Sequence, residues 1–491
     1  MTLLKSRVFA LFAAAARHRG AVLRWPLAFG LACAVLTACT VGPEYREPPP
    51  VDTGSGWSLP VVTGSGADDY AHWWSTLGDP MLERVVHAAL AENLDIYQAA
   101  ARIEEARAVR DRIAGDLAPV VETGASISRR RQSENGSLPI GAIPGMDSTQ
   151  TIHDVGFDAS WELDLFGGNR RALEGADARL HAAVIEAEGV RMRIAAEVVR
   201  TWFTASGSRQ EVRAQQAAVE ALRHALVLLQ VRQAAGDVSL ADVDAAQERL
   251  ASAEAALPGI RARERAAGLA LAVLLGEPPE RGPQLVEGGT GLPPLAEIPV
   301  GERADLLRRR PDVLVAERQL AATTADIGVA TAELFPKLSI GVGGGFQALD
   351  ADDLFDSGSL RYGVLPMISW RVFDGGRVRA EIRAREAAQW RAALAYEQAV
   401  LAALGDAETA LANYQAGLKA LQQHQLALEA NQRSYDHAAK RHALGVIALG
   451  ELLVAQRQLH EAQAAVTRAH TAAAVHLVAL YKALGGGWEA A

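Results

Sequence analysis

Two clusters of charged residues each surround a glycine. Around Gly236 stand Arg232, Asp237, Ser239, Asp242 and Asp244, and around Gly445 stand Arg441, His442 and Glu451. When the two stretches are overlaid, Asp242 falls on Glu451 and Arg232 on Arg441. Carboxylates and guanidinium groups gathered in this way can ring a passage and select ions, or form bidentate pairs that latch one conformation. The same residues also suit helix ends. Ser239-Leu240-Ala241-Asp242 has capping-box spacing, with Asp a shorter third partner than Glu or Gln, and arginine in a last turn complements the helix dipole. The two readings are compatible, and both stand at this point.

A second reactive group is the thiol of Cys39. Lys5, Arg7, Arg17, Arg19 and Arg24 precede a short apolar run from Trp25 to Leu36, too short for a permanent membrane span, which predicts a signal peptide over residues 1–38. The segment ends in Leu36-Thr37-Ala38-Cys39, which is similar to a bacterial lipobox, where small residues fit the signal peptidase and the thiol accepts a diacylglyceryl group. Cys39 then opens the mature chain and carries a covalent lipid; no other cofactor is expected. Cys33 leaves with the signal, so no intrachain disulfide can form. Thr40, where an Asp would signal retention, favours the outer membrane by resemblance to sorted lipoproteins.

Enzyme signatures are lacking. The 12 histidines are scattered, no His-Glu-x-x-His occurs, and His437 and His442 have no evident third ligand, so no metal site is expected. Gly341-Val342-Gly343-Gly344-Gly345-Phe346 superficially suggests a phosphate loop, but no suitable helix follows and the segment reads as a strand. A net charge of -9 gives no reason to expect a nucleic-acid partner.

The elements that hold these groups are duplicated. Asp95 and Pro119 match Asp312 and Pro336 at a constant offset, and Leu163-Asp164-Leu165-Phe166-Gly167-Gly168 is echoed by Val372-Phe373-Asp374-Gly375-Gly376. After an extended, Pro-rich tether over 39–75, repeat 1 (76–276) is predicted as a helix from Met81 to about Asp116, strands at 120–132 and 152–165, and a long helical hairpin at 169–276. A connector at 277–300 holds six prolines. Repeat 2 (301–491) follows with a helix, strands at 337–348 and 360–372, a hairpin at 377–484 and a tail. Proline is absent from 145 to 257 and from 367 onward, so the outgoing helices should run about 67 residues, or roughly 100 Å. Leu401, Leu404, Leu411, Tyr414, Leu418, Leu421 and Leu428 form an apolar ladder interrupted at Glu408 and Gln425. Pro258 should bend the first returning helix.

The strands alternate apolar and polar residues, as in Val155 to Leu165. Four such strands cannot close a membrane barrel, which needs about eight, and an open edge cannot face lipid. Strands that meet a membrane would need other copies, and three copies would supply twelve. Phe157, Trp161, Phe346, Tyr362 and Trp370 suit either interfacial girdles or packing between strands and helices.

The chain resembles the outer membrane factors, or TolC-like channels, specifically the lipoprotein branch serving resistance-nodulation-division (RND) efflux. The resemblance spans the mature chain and is carried by Cys39-Thr40-Val41-Gly42-Pro43-Glu44-Tyr45, Trp161-Glu162-Leu163-Asp164-Leu165-Phe166-Gly167, Arg309-Arg310-Pro311-Asp312-Val313, Phe335-Pro336 and Phe373-Asp374-Gly375-Gly376-Arg377. It implies a homotrimer with a twelve-stranded outer-membrane β-barrel continued by a twelve-helix periplasmic α-barrel. The tunnel, closed by its hairpin tips, would open when a periplasmic adaptor and an inner-membrane RND-type pump dock, passively conducting drugs or metals. Relatives usually carry an additional Asp where this chain has Val454, which speaks against a double acidic ring. Two other functions fit the residues less well: a duct for type I protein secretion, and a lipid-anchored coiled-coil spacer without a pore, which would not need strands.

Overall fold

The computed structural model describes residues 40–49, 54, 56–62, 70–133, 147–285 and 291–488, so the signal segment and Cys39 lie outside the described residues. Helices α1 (Pro80–Glu92) and α2 (Leu94–Gly115) lead into strands β1 (Val120–Arg131) and β2 (Thr149–Glu162). A hairpin of α3 (Gly168–Ala234) and α4 (Leu240–Leu274) completes the first repeat. The second repeat runs through α5 (Arg303–Arg309), α6 (Pro311–Ala332), β3 (Lys337–Ala348), β4 (Leu360–Ser369), α7 (Arg377–Ala443) and α8 (Leu449–Ala483). Helices α3 and α7 are both 67 residues long. α4 continues unbroken through Pro258. Among the described residues no helix is long and apolar enough to cross a membrane.

The predicted single helix from Met81 to Asp116 is in fact two. Asn93 separates them: its N–H donates to the Ala89 carbonyl at 2.9 Å, closing α1. Its Oδ1 accepts from the amides of Asp95 at 2.9 Å and Ile96 at 3.3 Å, opening α2. An asparagine within a helical pattern thus caps in both directions.

Two compact units form, and neither is a sequence repeat. The first combines the described residues up to Tyr45 with Val109–Asp177 and Ala322–Gln389, and the second takes the remainder. The first unit is built on one antiparallel sheet ordered β1-β2-β3-β4, in which β2 of one repeat pairs with β3 of the other. Registered pairing aligns the alternation across the strands. Val121, Ala159, Val342 and Val364 form one transverse row, and Thr123, Phe157, Gly344 and Tyr362 the next on the same face. The other face carries Glu122, Asp158, Asp154, Gln347 and Arg361, while β4 also places Leu365 and Met367 there.

β2 and β4 stop three residues short of the predicted ends because an aspartate turns each chain into the next helix. Asp164, at φ 42°, accepts from the amides of Asn169 and Arg170, each at 3.0 Å. Asp374 accepts from Gly376 at 2.8 Å and Val378 at 2.9 Å. These bonds satisfy orphan donors at the starts of α3 and α7 and explain the repeated Asp-and-glycine motif.

The second unit holds the main core. Trp73, Trp74, Trp202, Phe203, Leu271 and Leu480 are buried there, and burial of each such side chain contributes about 1.5–3 kcal/mol. The later tether is docked, not free: the Trp57 indole donates to the Gly301 carbonyl at 2.9 Å, and Val62 bridges Pro299 in parallel. Ser58 accounts for the polar break at Glu408, because its hydroxyl donates to Glu408 at 2.6 Å and its amide at 3.1 Å.

Within this unit Arg310 is buried and ties three elements together. It donates to Asp312 through Nε at 2.8 Å and Nη2 at 2.6 Å, to Asp406 at 3.3 Å, and to the Ala483 carbonyl at the end of α8 at 3.2 Å. Burial raises the Asp312 carboxyl, but the Arg310 hydrogen bond and charge outweigh it and hold the group below its ordinary value. Arg310→Ala should cost about 2 kcal/mol, with Arg310→Lys recovering only part because an ammonium cannot reproduce the fork. Since the folded carboxyl of Asp312 is depressed, its contribution is present above about pH 4 and is lost as pH falls further. Denaturant melts of these variants at neutral and acid pH check both expectations.

Candidate functional site

Both hairpin tips in the second unit use one backbone solution. Gly236 (φ 82°) and Gly445 (φ 72°) take left-handed conformations that glycine adopts without penalty. The amide of Asp237 donates to the Arg232 carbonyl and that of Gly236 to Gln233, both at 2.9 Å. Val446 and Gly445 repeat this with Arg441 and His442, also at 2.9 Å. Each is a Schellman ending, so the matched arginines share a backbone role, their carbonyls closing the helix. Leu229, Val243 and Ala246 of the first tip pack with Leu449 and Leu453 of the second.

The acidic residues differ between tips. In the first, a complete capping box forms: the Ser239 hydroxyl donates to Asp242 Oδ2 at 2.6 Å and the Ser239 amide at 3.0 Å, while the Asp242 amide donates to the hydroxyl at 3.2 Å. The hydroxyl bond first, then the amide bond, holds the Asp242 carboxyl below its ordinary value. In the second, Ala448 occupies the cap position without a side-chain bond, so Glu451 has no such tie. Asp237, Asp242, Asp244, Arg441 and Glu451 are exposed, whereas Arg232 and His442 are half-buried. The His442 Nδ1–H donates to the Ile447 carbonyl at 3.2 Å across the turn. Within one chain and among the described residues, no carboxylate of these tips is in ion-pair contact with Arg232 or Arg441.

In the first unit, residues 40–42 lie against the junction of sheet and helix. The Val41 amide donates to the Phe166 carbonyl at 3.1 Å, and Arg171 Nε donates to the Val41 carbonyl at 3.2 Å. A Cβ on Gly42 would lie 2.4 Å from Gly328 Cα, so the two glycines permit this close approach. Thr40, next to Cys39, packs on Gly167 at the same junction. The tryptophans of the two repeats behave alike there. Trp161 Nε1 donates to the Leu117 carbonyl and Trp370 Nε1 to Leu334, both at 3.0 Å, while the two residues stay 40% and 57% exposed. They join strand to helix and still present an aromatic face.

Sequence reasoning missed a polar bridge in the sheet. Arg361 on β4 crosses β3 above Gly345 to reach Asp154 on β2 through two bonds of 2.6 and 3.0 Å, and Gln347 donates to the same carboxylate at 2.8 Å. Opposite charges on the polar parity of β2 and β4 were its only sequence signal.

The model of the outer membrane efflux protein family matches residues 85–277 and 303–486. The chain belongs to that family. It is 32% identical over 463 residues to the pyoverdine export outer membrane protein OpmQ of Pseudomonas putida, covering 94% of this chain and 96% of OpmQ. The probable outer membrane lipoprotein SilC of Salmonella typhimurium is 27% identical over 92% of this chain and 97% of its own. The structure of the outer-membrane channel OprN superposes with a TM-score of 0.81 at 34% identity, covering 92% of this chain and 100% of that one. The protein is thus an outer-membrane channel component of an efflux system, with the four strands and paired helical hairpins of its family.

The asymmetry of the tips has a direct consequence for this efflux channel. Ser239→Ala should accelerate amide exchange at Ser239 and Asp242 while leaving the matching positions at Ala448 and Glu451 unchanged. Because the Asp242 carboxyl is depressed, the protection it confers should hold above about pH 4 and fade below it. Hydrogen-exchange mass spectrometry of both tips checks the difference.

Proposed function

We propose that three copies of the chain form one passive duct, each supplying four strands to a twelve-stranded barrel and two hairpins to a twelve-helix tunnel. The observation that carries this reading is the sheet: β1 and β4 each have one neighbour within the chain, and one face is apolar along all four strands. Unpaired strand edges beside an apolar face are untenable in lipid, and pairing β1 of one copy with β4 of the next removes every edge. Cys39 carries the lipid that anchors the mature chain, and it immediately precedes in sequence Thr40 and Val41, which dock at the junction of sheet and helix. A periplasmic adaptor and an inner-membrane RND-type pump supply substrate and energy, and small molecules pass through without chemical change.

The hairpin tips form the periplasmic gate. Three copies bring six carboxylates, from Asp242 and Glu451, towards one constriction, where Asp237 and Asp244 add charge from the first tip only. Arg232, Arg441 and His442 lie in the final turns, where contacts with a neighbouring copy would latch the closed state. Glu451, having no serine partner, is freer than Asp242 to meet a passing cation.

Planar-bilayer recordings of the purified full chain test the proposal, alongside a molecular-mass measurement in detergent. A trimer with discrete conductance is expected, and Asp242→Ala combined with Glu451→Ala should reduce cation preference, with Glu451→Ala alone giving the larger share. A monomer without conductance would overturn the duct, while unchanged selectivity in the double variant would remove the gate assignment alone.

A further inference from the structure

We propose that Arg129 and Arg131, at the loop end of β1, form a binding surface for the phosphate headgroups of outer-leaflet lipid. This rests on the reading of the sheet as one third of a membrane barrel. Register places both side chains on the apolar face: Arg129 lies opposite Thr151 and Arg131 opposite Thr149, following Ile127 opposite His153 on the same parity. Arg130 between them belongs to the polar face.

Height along the strand sets the chemistry they meet. The apolar face is bounded at the helix end by Trp161, whose indole is tied to Leu117. From Trp161 to Thr151 is ten residues of β2, which at about 3.3 Å each and a tilt of about 40° is roughly 25 Å, the height of the apolar band of an outer-membrane barrel. Arg129 and Arg131 therefore stand one band above the tryptophan, level with the opposite headgroups.

Charge complementarity selects the occupant. Arg361, on the other face, already has its carboxylate in Asp154, whereas the cross-strand partners of Arg129 and Arg131 are neutral threonines. The Cα atoms of two residues of one strand on the same face lie about 7 Å apart, so two arginine side chains from them can bracket a phosphate or engage adjacent ones. A carboxylate or zwitterionic headgroup satisfies that geometry less well than a phosphate monoester, which carries greater negative charge.

Native mass spectrometry of the full-length protein in detergent, titrated with bisphosphorylated lipid A, tests this. Wild type should retain the lipid, and Arg129→Ala with Arg131→Ala should weaken retention about thirtyfold, as expected when two cations near an anionic surface are removed. Arg129→Lys with Arg131→Lys should recover only part of the retention, because an ammonium keeps the charge but cannot reproduce the fork, and Arg130→Ala should match wild type. Dephosphorylated lipid A should bind wild type and the double alanine variant alike, and inorganic phosphate at equal concentration should not displace the bisphosphorylated lipid; full displacement by it would show a free-phosphate site instead of a lipid surface. Equal retention of the phosphorylated lipid by wild type and the double alanine variant would overturn the proposal. So would dissociation of the double alanine variant into monomers without added lipid, because the arginines would then be holding neighbouring subunits. Conductance recorded on the same wild-type sample keeps these failures distinct from a failure of the barrel itself.

Discussion

Everything in the first unit depends on the pairing of β2 with β3. It joins strands separated in the chain by the whole first hairpin and turns two repeats into one sheet. Without it, each repeat would own an isolated two-stranded ribbon, which is marginal in water and impossible in lipid. With it, one face is apolar across all four strands, although β4 also places Leu365 and Met367 on the other. Yet the sheet still ends in two unpaired edges, so the interaction that unites the repeats also makes the single chain insufficient.

The helices that leave this sheet begin in the same way. Asp164 and Asp374 each satisfy two amides, and Gly167, Gly375 and Gly376 take the left-handed conformations that turn the chain. At the far ends, the Schellman turns at Gly236 and Gly445 reverse both hairpins with matching bonds. Against this symmetry the differences are local: a serine cap at one tip and an alanine at the other, Pro258 within α4 and no proline in α8. The backbone machinery is duplicated, while the exposed charges have diverged.

Much of this was legible in the residues. Strand alternation, long proline-free helices and the glycine turns depend on interactions within a few positions, which periodicity reports directly. The break at Asn93 was not legible, because asparagine within a helical pattern becomes a cap only when its side chain turns onto neighbouring amides. Of the two readings of Asp242, the capping box is present in the fold of one chain, and an ion ring requires further copies. Of the two roles envisaged for Trp161 and Trp370, the joining of strand to helix is present in the fold of one chain, since each indole N–H bonds a helix-end carbonyl.

The duplication, the kinds of element and their order, and a strand set too small to close are written in the residues alone. Those properties follow from local propensity and pattern, which each repeat carries in full. Folding in three dimensions was needed to bring Arg310 to Asp406 and the Ala483 carbonyl, Ser58 to Glu408 and Arg361 across a glycine to Asp154, and to make the compact units cut across the repeats. These contacts join residues far apart in the chain, and their partners are chosen by which surfaces meet, a choice that no spacing along one strand or helix records.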